Sequence, residues 1–317
     1  MEQMQLVSLE QLVPQDHSYR KYKEVWNFKP VFKELKRIKK ANPHEGYGLD
    51  RLFLCLLLQF LENVSDRELE RFIRENNTAK WFCGFSLLDK TPDHTVFTRA
   101  RDRIGTQRMS KIFSILRDQL RIKGYMNEVF SFVDASHLIA KSQLWKERDE
   151  AIRQKYEKLN NETLPQVAHD KEARIGCKGT NKFWYGYKKH VSVDMQSGCV
   201  NKVAITPANL PDAKGLKHVC PLQGSIFADK AYCVGEAPKS AARRGCHLAA
   251  VKKNNMKDKN KELDKWYTKM RAPYERVFSN VRKRVRYCGV VKNQFAAFME
   301  AIAINTKRCL VLERCPN

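Results

Sequence analysis

Apolar and polar positions change their spacing near residue 128. Before it the apolar residues recur at helical intervals. From Leu49 to Leu61 they are nearly continuous, which predicts a buried helix. Ser65-Asp-Arg-Glu68 then fits a capping box, in which the Ser hydroxyl and the Glu carboxylate each satisfy a free backbone N–H. The helix it opens places Leu69, Phe72 and Ile73 on one side. Thr91-Pro92 is expected to open another, because Pro is favoured at the first helical position. There Val96 and Phe97 face inward and Arg99, Arg101 and Arg103 outward. Met109 to Leu120 reads as a further amphipathic helix ending at Gly124. Upstream lie a turn-rich lead-in from Leu6 to Tyr22, a basic segment from Lys33 to Lys40, and a turn at Asn42-Pro43.

After residue 128 runs of strand-formers appear. Val129-Phe-Ser-Phe-Val-Asp134 is a run of strand-formers ending on a carboxylate. Phe183 to Asp194 and Cys199 to Thr206, joined through Ser197-Gly198, predict an antiparallel hairpin. Asn209-Leu-Pro-Asp212 and a short helix lead to a second strand ending on an acid, Ser225-Ile-Phe-Ala-Asp229. Cys246 to Val251 is a further strand, Pro273 to Arg286 a basic amphipathic helix, and Phe295 to Ile304 a closing helix. Leu144 to Leu159 is expected to be an exposed helix laced with ion pairs, since residues 141–158 carry six basic and four acidic side chains. Asn160 to Lys182 reads as loop, and Lys252 to Lys261 as a mobile one. The fold class expected is α/β, with an all-α domain over residues 1–128, an α/β domain over 129–317, and a charged insert at about 141–182.

Charge narrows the class of partner. The 317 residues carry 59 Lys plus Arg against 35 Asp plus Glu, a formal charge of +24. Such an excess repels itself in the compact state, so a polyanion is the natural partner. The longest apolar run, Leu52 to Leu61, is far short of the roughly 18 residues that span a bilayer. Met1-Glu-Gln-Met-Gln5 lacks the basic head and apolar core of a signal peptide, so a cytoplasmic protein is expected. The ten cysteines include no Cys-x-x-Cys pair, which argues against structural zinc and for reduced, mostly buried thiols.

The acids carry the candidate chemistry. Asp134 and Asp229 end apolar strands, where an ionised carboxylate is expensive unless its charge is offset. Glu275 is expected in the first turn of its helix, where the macrodipole favours an anion. Two divalent cations about 4 Å apart can flank a phosphodiester, and Mg2+ needs only a few carboxylates. On that helix Phe278, Val281 and Val285 would anchor the sheet-facing side, with Arg276, Lys283 and Arg284 directed at phosphates. Taken singly, each aspartate reads more simply as a turn cap and Glu275 as ordinary helix design. Trp184, Tyr185 and Tyr187 read as core, and His137 and His190 as structural. A turn-linked helix pair with arginines on its second member fits a DNA-reading unit, although a helical bundle with a solvated basic face is the plainer account. It is the combination, acids in order within a basic chain, that points to metal-dependent chemistry on nucleic acid.

Several motifs resemble one family. Leu12-Val-Pro-Gln-Asp-His17, Tyr47-Gly-Leu-Asp50 through Arg71, Thr91-Pro-Asp-His-Thr-Val-Phe97, Phe132-Val-Asp-Ala-Ser136, Phe183 to His190, Thr206 to Asp212, Ala228-Asp-Lys-Ala-Tyr232 and Arg271-Ala-Pro-Tyr-Glu-Arg-Val-Phe278 are similar to the DDE transposases of bacterial insertion sequences, of the insertion-sequence family five type. The resemblance covers nearly the whole length. It implies an RNase H-like mixed sheet flanked by helices, with Asp134, Asp229 and Glu275 holding Mg2+, or Mn2+ in its place. It also implies cleavage at terminal inverted repeats, strand transfer into target DNA, and a dimer or higher assembly on the DNA ends in the bacterial cytoplasm, with no membrane. Lys230, Arg271, Arg276, Arg282 and Lys283 are the phosphate contacts it suggests, with Arg99 and Arg103 on the end-reading helices. The family signature has a Tyr three positions before Arg271, where Thr268 stands with Tyr267 beside it, and a Lys seven positions after the Glu, where Arg282 stands. Arg282 keeps the charge, two turns beyond Glu275, but not the shape of Lys. Two other readings are a nuclease that cuts without joining and a basic DNA-binding protein with vestigial acids.

Overall fold

A computed structural model of the chain describes residues 7–38, 46–140, 146, 149–150, 153–154, 160–179, 182–257, 259–279 and 282–314, with backbone only for 275–279. It divides into two compact units, Met1–Ile122 with Phe298–Asn317, and Lys123–Ala297.

The first unit is all helix. Its elements are α1 (Leu9–Leu12), α2 (Ser18–Val25), α3 (Lys29–Lys36), α4 (Leu49–Leu61), α5 (Asp66–Glu75), α6 (Asn77–Cys83) and α7 (His94–Ile122). The nearly continuous apolar run makes α4 the centre of this core, with Phe53 and Leu56 to Leu58 fully buried. The capping box forms as expected. Glu68 N–H donates to Ser65 Oγ, and Ser65 N–H to Glu68 Oε2. Leu69 and Ile73 then bury the inner face of α5.

Three expectations for this unit need correction. The helix after Pro92 begins at His94, because Asp93 rather than Pro92 meets its first free N–H groups; Thr95 N–H donates to Asp93 Oδ1 at 2.7 Å. That helix gives way at Gly105, whose φ of 67° lies outside the helical region, to the further helix expected over Met109–Leu120. Arg101 is buried rather than outward. Residues two apart lie about 200° apart around a helix, so Arg101 points away from Arg99 and Arg103. It grips Asp66 with both guanidinium nitrogens, at 2.9 and 2.5 Å. Thirdly, residues from Phe298 on group with this unit, not with the α/β unit that the boundary at 128/129 assigned them to. In the final helix, Val290–Arg314, the Phe298 ring lies 5.5 Å from Phe113, and Trp26 Nε1–H donates to Thr306 Oγ1 at 2.8 Å.

The second unit contains β1 (Phe130–Ile139), α8 (Leu164–Val167), β2 (Arg174–Lys178), β3 (Lys182–Asp194), β4 (Val200–Pro207), α9 (Asp212–Val219), β5 (Ser225–Ala228), α10 (Glu236–Ala242), β6 (His247–Ala250) and α11 (Lys261–Ser279). The strands form one six-stranded sheet in the order β2-β3-β1-β5-β6, with β4 also on β3. β3 runs antiparallel to β1, β2 and β4, whereas β1, β5 and β6 are mutually parallel. A hairpin followed by parallel crossovers is the RNase H-like arrangement.

The stretch 160–182, read as loop, instead holds α8 and β2. β2 has one large aliphatic residue, Ile175, too little for a pattern; it exists because the long β3 offers it an edge. Most of Leu144–Leu159 lies outside the described residues. Among the described residues no helix is long and apolar enough to cross a membrane. None of the nine described cysteines is in a disulfide, and six are buried.

Breaking the Asp66–Arg101 pair leaves the buried guanidinium its bond to Thr98 Oγ1 at 2.9 Å but removes the Asp66 counter-charge. Asp66→Ala is expected to destabilise the helical unit by about 3 kcal/mol, measured by urea denaturation. A loss below about 1 kcal/mol would mean that water already serves Arg101.

Candidate active site

Strand pairing brings the two aspartates together. The parallel register of β1 with β5 sets Phe130 beside Ser225, Ser131 beside Ile226 and Phe132 beside Phe227. Carried two residues on, it brings position 134 beside 229, on strands about 4.8 Å apart. Side chains alternate between faces, so Asp134 shares a face with Phe132, and Asp229 with Phe227. Each carboxylate has a backbone donor. Ala135 N–H reaches Asp134 Oδ1 and Ala231 N–H reaches Asp229 Oδ1, both at 2.8 Å. Asp229 thus caps the short 3-10 turn Lys230–Tyr232 as well as facing Asp134. Burial, chiefly, pushes the Asp134 carboxyl up to about 6, and the charges of Asp229 and Asp212 add to it. The Ala135 N–H and the Arg271 guanidinium oppose the rise.

α11 covers that face. Tyr267, Met270 and Tyr274 pack on Phe132 and Phe227, the Tyr274 hydroxyl donates to Met195 O, and the Arg271 guanidinium lies 5.4 Å over the Phe132 ring. Arg271 therefore faces the aspartates as a counter-charge. The expected helix from Pro273 to Arg286 is corrected here. α11 starts twelve residues earlier, at Lys261, with Pro273 in its interior, and it ends at Ser279. Upstream apolar positions supplied the burial that outweighs the lost Pro273 N–H. Glu275 is consequently one turn after Arg271, near the C-terminal end of the helix, and the macrodipole argument for it fails. Its side chain, like that of Arg276, lies outside the described residues. Lys283 to Val285 are extended, not helical: Ile139 N–H donates to Lys283 O and Val285 N–H to Ile139 O, which draws this stretch alongside the end of β1. Arg282 accordingly does not stand two turns along Glu275's helix.

A fourth acid joins the pair from a direction the strand-end pattern could not reveal. Asp212 opens α9 and forms an ion pair with Lys188 of β3 at 2.8 Å; Lys188 Nζ also donates to Leu210 O. Next to Lys188 along the same face is His190, fully buried, its Nε2 2.9 Å from Thr206 Oγ1. Burial drives its imidazole down to about 4, so it is neutral, with Asp212 pulling the other way. Gly215 of α9 lets the ring fit, since a Cβ there would stand 2.1 Å from His190 Cε1. Tyr232 completes the group. Burial, then the charges of Asp212, Asp134 and Asp229, hold its hydroxyl well above the usual range. The only hint of Asp212 in the sequence was its place in the turn after the hairpin, where Pro-Asp reads as a plain helix start.

Comparison with known proteins decides the family. Residues 128–306 match the model described as "Transposase DDE domain", and residues 7–103 match "Transposase domain (DUF772)". The chain belongs to the DDE transposase family. Among solved structures it resembles the piggyBac transposase synaptic complex with hairpin DNA, at 10% identity and a TM-score of 0.43, over 92% of this chain and 74% of that one. It also resembles the pre-cleavage Mos1 transpososome, at 8% identity and a TM-score of 0.18, over 87% and 80%. At these scores neither likeness informs the fold.

The remaining residues suggested as DNA contacts of the transposase scatter over both units. Lys230 is exposed directly after Asp229, and Lys283 is exposed on the segment beside β1. In the helical unit, Arg99 is exposed with its guanidinium on Thr95 Oγ1 at 3.2 Å, and Arg103 lines a cavity of about 310 Å3 with Phe32, Tyr47 and Asp50. DDE transposases use a divalent metal, and the aspartate pair suits one. Adjacent, partly buried carboxylates oppose each other's ionisation, which a hard cation offsets. Among the described residues no group of three His, Cys, Asp or Glu side chains is placed to hold a metal ion, so the donor set extends no further than this pair there.

Asp134 gives the metal-free transposase a pH signature. Its folded value of about 6 against 3.8 means that the folded state holds the proton more tightly, so stability falls as pH rises through that window. Asp134→Asn should therefore stabilise the metal-free protein at pH 8 by up to about 3 kcal/mol, and hardly at pH 4. Thermal unfolding at the two pH values checks it, and an equal effect at both would mean that the carboxyl titrates normally.

Proposed function

We propose that this transposase, of the insertion-sequence family five type, cuts DNA at the terminal inverted repeats of its element and joins the freed ends to target DNA, with Asp134, Asp229 and Glu275 holding Mg2+, or Mn2+ in its place. The observation that carries this reading is the closeness of Asp134 and Asp229 just past the last pair of the parallel β1–β5 ladder, with the Asp134 carboxyl raised to about 6 by burial and by the charge of Asp229. When bound, the cations supply Lewis-acid polarisation of a phosphodiester and hold its attacking and leaving oxygens. Asp134 and Asp229 orient that centre, and Arg271 limits the repulsion between them. Hydrolysis of a phosphodiester at the element's end releases a 3′-hydroxyl. That hydroxyl then attacks a target phosphodiester in line and becomes esterified to it, with the target's own 3′-hydroxyl as leaving group.

Lys230, Arg276, Arg282 and Lys283 serve phosphates along the strand, and Arg99 and Arg103 serve the end-reading helices. Joining two ends at once calls for at least two copies of the chain on DNA. The bacterial cytoplasm, where the nucleoid offers both donor and target, is the setting this implies.

On DNA carrying an element end, wild type with Mg2+ is expected to yield cleaved ends and covalently joined target. Asp134→Asn or Asp229→Asn should lower cleavage by about a thousandfold, the equivalent of several kcal/mol, while DNA affinity stays within about threefold, a difference under 1 kcal/mol. Undiminished cleavage in either variant would reject the assignment, and cleavage without joined product would make the protein a nuclease.

A further inference from the structure

Helix α5 carries three exposed arginines, Arg67, Arg71 and Arg74, at the spacing that stacks residues along one helix face. With Glu68, Glu70 and His94 they line a groove of about 330 Å3. His94 opens α7, and two ion pairs fix the start of that helix against α5, Asp66 with Arg101 and Glu70 with His94.

The acids of this groove are already engaged. Glu68 accepts the Ser65 N–H of the capping box at 2.7 Å. Glu70 accepts the His94 N–H at 3.0 Å and lies 2.8 Å from its imidazole, contacts that hold the carboxyl below its ordinary range. Arg74 is shared between Glu70 and Glu75, at 3.9 and 3.2 Å. Arg67 and Arg71, by contrast, have no hydrogen bond or ion pair among the described residues. Their placement is also locally unfavourable. Like charges four apart on a helix repel, and a cation in the first turn, where Arg67 stands, opposes the macrodipole. An anion in the groove relieves both. From Arg67 to Arg74 the helix rises about 10 Å, the rise of about three nucleotides along one DNA strand. No Phe, Tyr or Trp among the described residues lines the groove to stack unpaired bases, which favours a duplex over a single strand.

We propose that the groove between α5 and the start of α7 seats the phosphate backbone of duplex DNA, with Arg67 and Arg71 each meeting a phosphate. Contacts of this kind set a protein's register on the duplex without reading its bases. The proposal rests on the reading of the chain as a DNA-acting transposase, and it adds a backbone anchor separate from Arg99 and Arg103.

The test measures binding of the full chain to two duplexes of equal length, one carrying the element end and one scrambled. Fluorescence anisotropy between about 50 and 200 mM salt gives the slope of log K against log salt. In Arg67→Ala/Arg71→Ala that slope is expected to be shallower by about two on both duplexes, close to one for each arginine. Arg67→Lys/Arg71→Lys should keep the wild-type slope, because a lysine meets a phosphate as a point charge. An unchanged slope in the alanine pair would overturn the proposal, and so would an equal reduction in the lysine pair. A loss confined to the element-end duplex would overturn it too, since that marks base reading. If wild type itself binds neither duplex in a salt-dependent way, the DNA-acting reading fails, and the fault lies there rather than with the groove.

Discussion

Two negative charges are held side by side in this protein by backbone hydrogen bonds that neither charge can loosen. The parallel ladder between β1 and β5 ends at Phe132 and Phe227, two residues short of Asp134 and Asp229, and the residues beneath them, Phe132, Val133, Ile226, Phe227 and Ala228, are buried in the core. Moving the carboxylates apart would mean slipping the register, and a slip of one residue turns every side chain to the wrong face. Repulsion is therefore built in, and the surroundings are arranged to limit it. Backbone N–H groups of Ala135 and Ala231 reach the two acids, and Arg271 leans over Phe132 towards them. For a DDE transposase this is a sensible economy. A divalent cation, which the family uses, would offset such repulsion.

The polar interior behind the pair follows the same logic. Lys188 neutralises Asp212, and His190 is kept uncharged by burial while Gly215 makes room for its ring. Replacing any one of these changes the charge or the shape of a space that has little water to compensate. Partly satisfied polar networks of this kind are costly unless they serve a function.

The large positive charge is less simple than its sum suggests. Arg101 spends its charge on Asp66, and Arg20 is buried, bonded to the carboxylate and backbone of Glu10 and to the backbone carbonyls of Val13 and Pro14. Arginine suits such sites because its planar fork satisfies several acceptors at once. A basic composition thus contributes to the core of the helical unit as well as to a surface fit for polyanions.

What the chain determined by itself was whatever depends on neighbours a few residues away. The α4 run, the Ser65–Glu68 box and the strand-forming runs of β1, β3 and β5 are local patterns, and these elements form where they were expected. Asp134 and Asp229 stood out because an acid ending an apolar strand is locally anomalous. Tertiary structure decided the rest, where two local outcomes were close in energy and a distant partner chose between them. Val281 to Val285 suits a helix or a strand, and the stretch around Val285 is extended because Ile139, far off in sequence, has backbone groups to pair. β2 exists because β3 is long, and Phe298 onward joins the helical unit because Phe113 and Trp26 meet it there. Asp212 looks ordinary in sequence, and only the folding of α9 onto the sheet brings its charge to bear on Asp134. Long-range contact carries no signature in a single chain, because its energy appears only once both partners are in place.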